Sequence, residues 1–118
     1  MALIKNLVFT SEWQDIASGK PCKYRFKLYE HMGKSIVIAS DFDDNAGFSV
    51  SDCIERLANR FCHTYKVDPK SLVVILVNRH GPDKYARVEM AWDGKRLSDP
   101  ARTPITTEEI ERLIDEPF

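Results

Sequence analysis

The sequence predicts an α+β domain of order ββαββα, a single mixed four-stranded sheet with two helices on one face. Three observations predict it. Between positions 49 and 66, Val50, Cys53, Ile54, Leu57, Ala58, Phe61, Cys62 and Tyr65 recur at steps of three and four, the stripe of an amphipathic helix. Positions 23–31 and 84–92 alternate apolar and polar residues, the period of a half-buried strand. Positions 72–77 read Leu-Val-Val-Ile-Leu-Val, a run suited to a strand covered on both faces.

The totals agree with one domain. A chain of 118 residues with 43% hydrophobic and 30% charged residues buries enough surface to fold without staples. Its net charge of −1 argues against an overall basic nucleic-acid binder and leaves room for a local basic patch. Three cysteines do not make a disulfide framework. Cys53 and Cys62 sit roughly 13 Å apart along one helix, beyond disulfide reach. Cys53 and Cys62 read as small core residues of a reducing compartment. No run approaches a membrane span, and the start of the chain lacks the charged and apolar regions of a signal peptide. The expectation is a cytoplasmic protein with no membrane association and no cofactor.

Taken in order, residues 1–22 read as an N-terminal extension that packs on the sheet, with a short strand at 6–10, ahead of a core at 23–118. In 23–31, Tyr24, Phe26 and Leu28 point one way and Lys23, Arg25, Lys27 and Tyr29 the other. A tight turn with Gly33 leads to a second strand at 35–40. An acidic loop at 41–47 enters the long helix over 49–66, with Ser49 and Asp52 as a capping box and Asp68-Pro69 as its stop. The strand at 72–77 follows, then 84–92, then a loop over 97–104 containing Pro100 and Pro104. A second helix starts near Thr106, where Thr106 and Glu109 form a capping box and Ile105 staples onto Ile110. The expected strand order is 1-2-3-4, with a permuted 3-4-2-1 as the alternative.

Two helices on one face leave the other face to the N-terminal segment or to a partner. Arg25, Lys27, Tyr29, Tyr85 and Arg87 rim that second face and form the expected partner or nucleic-acid surface. The bland reading of the same residues is the polar side of edge strands, where Lys and Arg discourage aggregation. Asp41, Asp43 and Asn45 stand at alternate positions of the acidic loop, and Asp52 follows. Together they are the candidate oxygen ligands for a hard cation. Against this, Ala46 stands where the sharp turn of a calcium loop wants glycine. For nucleophilic catalysis the pieces do not assemble: Cys53 and Cys62 are on the buried stripe, and His63 is on the solvent side of the same helix. No catalytic residue is expected.

The segment 40–50 with the helix after it, the strand after Asp68-Pro69 and the ending Ile105-Thr106-Thr107-Glu108-Glu109-Ile110-Glu111-Arg112-Leu113-Ile114 resembles a set of short uncharacterised bacterial proteins encoded on plasmids and integrative elements. The resemblance covers about Tyr24 to Phe118 and implies an accessory protein of mobile DNA, with no activity or ligand to carry over. The resulting expectation is a non-enzymatic binding module that acts through a protein partner or as a homodimer. The alternatives are a nucleic-acid-binding accessory factor and a metal-binding protein at the 41–45 loop.

Overall fold

The computed structural model describes residues 3–14, 19–31, 33–41, 49–77 and 84–115. They form six strands, β1 (Leu3–Gln14), β2 (Pro21–His31), β3 (Lys34–Asp41), β4 (Leu72–Val77), β5 (Tyr85–Trp92) and β6 (Leu97–Ile105). Two helices, α1 (Ile54–Tyr65) and α2 (Thr107–Asp115), accompany them. All six strands join one mixed sheet in chain order. The β3–β4 pair, bridged by the segment containing α1, is parallel, and every other pair is antiparallel. Among the described residues no helix is long and apolar enough to cross a membrane.

The α+β class holds, but the expected four-stranded sheet is corrected to six strands. The first addition is β1. Instead of lying across the sheet, it extends it, pairing with β2 from Leu3↔Tyr29 to Gln14↔Pro21. The cause is aromatic. Phe9 stacks on Phe26 at 5.7 Å between centroids and meets Tyr65 edge-on at 6.4 Å. Phe26 in turn meets Phe61 edge-on at 5.0 Å, so β1, β2 and α1 share one apolar seam.

The second addition is β6, in the stretch read as loop. Its prolines at 100 and 104 do not prevent pairing, because among the described residues β6 is an edge strand with only β5 beside it. The turn into it is held by Asp93, whose carboxylate accepts from the backbone N–H groups of Lys95 at 2.8 Å and Arg96 at 2.9 Å. Those N–H groups, Arg96 first and then Lys95, hold the Asp93 carboxyl below its ordinary range.

The helices lie on opposite faces, not one. Side chains alternate along each strand. Val74 and Leu76 join Phe26, Val37, Leu57 and Phe61 in the main core under α1. Ile75 between them joins Tyr29, Ile36 and Ile110 of α2 in a second cluster. This gives β4 the double cover that its apolar run requires. The long helix is also shorter than its stripe suggested: a 3-10 turn over Val50–Asp52 precedes α1. The Ser49 hydroxyl makes no cap bond and lies 2.7 Å from that of Ser51. Lys66 ends α1 in the left-handed conformation, φ 55°. Thr106 does cap α2, its hydroxyl accepting from the N–H of Glu109 at 3.2 Å.

Candidate functional site

Strand alternation decides which residues share the second face. On β2 these are Lys23, Arg25, Lys27 and Tyr29. Lys27 lies opposite Ile38, Ile38 beside Ile75 and Ile75 opposite Arg87, one row across four strands. Tyr85 sits one row away, between Val77 and Ile105. The five residues of the expected partner or nucleic-acid surface therefore occupy one face. They do not form one open platform, because α2 docks among them. Tyr29 is only 8% exposed, clustered with Ile36, Ile75 and Ile110. Tyr85 is half-buried against the same cluster, with the Lys84 ammonium 5.3 Å from its ring centroid. Arg25 and Arg87 are exposed and Lys27 is half-buried. Base stacking needs open aromatic faces, and the Tyr29 ring lies in the α2 cluster.

What the face does leave open lies beyond α2, on β1 and β2. Val8 and Thr10 pair with Arg25 and Lys23. Val8 is 54% exposed, the exposed large hydrophobic among the described residues. Sequence reasoning missed it. The signal was present in 6–10, where Leu7 and Phe9 alternate with Val8 and Thr10, but an edge strand cannot be assigned without knowing which neighbour holds it.

For the candidate cation ligands, Asp41 is half-buried at the end of β3 and Asp52 is exposed in the turn before α1. Asp43 and Asn45 lie outside the described residues. Among the described residues, no group of three or more His, Cys, Asp or Glu side chains is arranged to hold a metal.

A cleft of about 470 Å³ opens at the start of α1. Ser51, Cys53, Glu55, Asp99 and Arg102 are among the residues that line it, and hydrogen bonds tie Ser51, Glu55, Asp99 and Arg102 together. Arg102 donates from Nε to Asp99 at 2.7 Å and from Nη2 to the Ser51 carbonyl at 2.8 Å. The Asp99 N–H donates to the Glu55 carboxylate at 3.1 Å. One turn further along α1, Asn59 grips Leu97 by both backbone groups. The arrangement is a latch joining α1 to β6. The other oxygen of Asp99 is buried with no protein partner among the described residues.

The nearby thiol is held in its protonated form. Cys53 Sγ lies 3.4 Å from the Ser49 carbonyl and 3.6 Å from the Tyr24 hydroxyl, either of which can accept its single S–H. Burial pushes the Cys53 thiol and the Tyr24 phenol above their ordinary values, the phenol strongly. Burial, with the Asp68 charge adding to it, pushes Cys62 up to about 11. At neutral pH Cys53 and Cys62 stay protonated, and the thiolate is the reactive form. His63 is exposed while Cys62 beside it is buried, so the two do not form a nucleophile and base.

Among the described residues, β1 is paired on one side only and carries an exposed apolar residue near its middle, flanked by alternate cations on β2. Compared with known proteins, no family model matches the chain, and no curated protein and no solved structure matches it at a significant level.

Proposed function

We propose that this chain is a non-enzymatic binding module of the bacterial cytoplasm that acts by adding a strand from a protein partner to the β1 edge of its sheet. The observation that carries the reading is β1 itself. Among the described residues it is paired on one side only, it contains no proline, and Val8 near its centre is exposed. An edge of that kind presents alternating N–H and C=O groups that a second strand satisfies, and alternate side chains supply the specificity. The opposite edge, β6, carries Pro100 and Pro104 and lacks two backbone donors. Three thiols without disulfides fit a reducing compartment, and the resemblance to accessory proteins of mobile DNA fits a role in assembly.

The test is a photo-crosslinking side chain placed at Val8, irradiated in the cytosol of the source cell. A discrete protein adduct through β1 is expected. An absence of any discrete adduct from β1, with adducts from control positions on α1 instead, overturns the reading.

A second reading has its own observation. Lys23, Arg25 and Lys27 recur at every second position of β2 and share a face with Arg87. That row suits the phosphates of a nucleic acid. Binding to single-stranded or duplex DNA that falls steeply as salt rises supports it, and no binding at low salt removes it.

A further inference from the structure

The structure bears on what occupies the β1 edge. We propose that the occupant is a second copy of this chain, paired antiparallel through β1 about a two-fold axis perpendicular to the sheet, with Val8 on that axis. The proposal rests on the strand-addition reading above and narrows it to one partner.

Such an axis keeps each face of the sheet continuous across the pair, so a residue meets another of its own parity and the register centres on a residue. Three centres are worth comparing. Centred on Val8, the pairing sets Val8 against its own counterpart, Leu7 against Phe9 and Asn6 against Thr10: apolar meets apolar and polar meets polar. Centred on Phe9, it sets Val8 against Thr10. Centred on Leu7, it sets Val8 against Asn6. Only the first covers the exposed valine with an apolar side chain.

Two further features favour a copy of the same chain. The strand is held in place from within, since Phe9 is buried against Phe26 and Tyr65, so pairing costs little ordering entropy. The cations of β2 do not forbid it. The two β2 strands would lie three strand spacings apart, roughly 14 Å, beyond the ~8 Å screening length at physiological salt. At physiological salt their mutual repulsion is therefore largely screened, and one face of the twelve-stranded sheet would carry both copies of Lys23, Arg25 and Lys27.

The experiment is sedimentation of the full chain across micromolar concentrations at low and high salt. A reversible dimer is expected, no weaker at high salt than at low. Val8→Lys places like charges on the axis and is expected to weaken it by roughly tenfold or more, while Val8→Ile keeps it. Both variants change an exposed side chain, and their melting curves as monomers check that they fold. Register is read by Val8→Cys with oxidised glutathione as oxidant. The two thiols on the axis become one disulfide, whereas Thr10→Cys, whose counterpart lies four residues along the strand, does not cross-link. A strictly monomeric chain, or a dimer indifferent to Val8→Lys, overturns the proposal. A monomer that still forms the Val8 adduct with a different protein overturns self-pairing alone, and a monomer with no adduct through β1 overturns both readings.

Discussion

The side-chain amide of Asn59 on α1 pairs with the backbone of Leu97 on β6 as a neighbouring strand would. Its oxygen accepts from the Leu97 N–H at 2.6 Å, and its nitrogen donates to the Leu97 carbonyl at 3.0 Å. The same nitrogen also donates to the Glu55 carbonyl at 2.7 Å, which fixes the rotamer. Leu97 is fully buried, so these groups have little water to fall back on. Asn59→Leu is expected to cost about 2 kcal/mol in urea unfolding. Asn59→Asp keeps the acceptor but sets a carboxylate oxygen against the Leu97 and Glu55 carbonyls, so it is expected to cost at least as much. A change near zero in either variant would show that the paired bonds do not matter.

The Asp99–Arg102 pair carries a different risk. The Asp99 side chain is 8% exposed, and Arg102 is its bonded cation. Removing the cation leaves a buried carboxylate uncompensated, whereas removing both leaves neither charge. Arg102→Ala is therefore expected to destabilise by about 2 kcal/mol. The double variant with Asp99→Ala is expected to lose less than the sum of the two single changes. A strictly additive cycle would refute the coupling.

Among the described residues, Ile110 is the buried side chain that α2 sets against the second face, 5% exposed beside Ile36 and Ile75. Ile110→Ala is expected to cost about 2–4 kcal/mol. It should also raise binding of a hydrophobic dye, because Ile75 loses its cover. No change in dye binding would mean that α2 does not seal the face.

Alkaline pH should loosen the fold. The folded pKa of Cys62 is raised to about 11 by burial and by the Asp68 charge. Its unfolded value lies at about 8.5. Between those two values the unfolded chain releases a proton that the folded chain keeps, so stability falls as pH rises through that window. The Tyr24 phenol is shifted in the same direction and extends the loss to higher pH. Urea midpoints measured from neutral pH to pH about 11 should decline, and Cys62→Ala should flatten the lower part of the decline. An unchanged slope in that variant would assign the loss elsewhere.

By itself the sequence determined the elements whose signals are local. The stripe of Leu57, Phe61 and their neighbours makes α1, the alternation of Tyr24, Phe26 and Leu28 makes β2, and the unbroken Leu72–Val77 run demands cover on two faces. It also set Arg25, Lys27 and Tyr29 on the side of β2 away from Phe26, and Tyr85 and Arg87 on the side of β5 away from Val88, since parity along a strand needs no third dimension. Only the tertiary structure decided the sheet's width, the side on which α2 lies and which of those five residues stay open. Those outcomes rest on contacts between distant positions. Phe9 becomes a sheet residue because Phe26 and Tyr65 receive it, and Leu97–Ile105 becomes a strand because Glu55 and Asn59, polar residues on the far side of the α1 stripe, turn out to face β6. A polar helical side chain looks the same in sequence whether it meets water or a backbone amide.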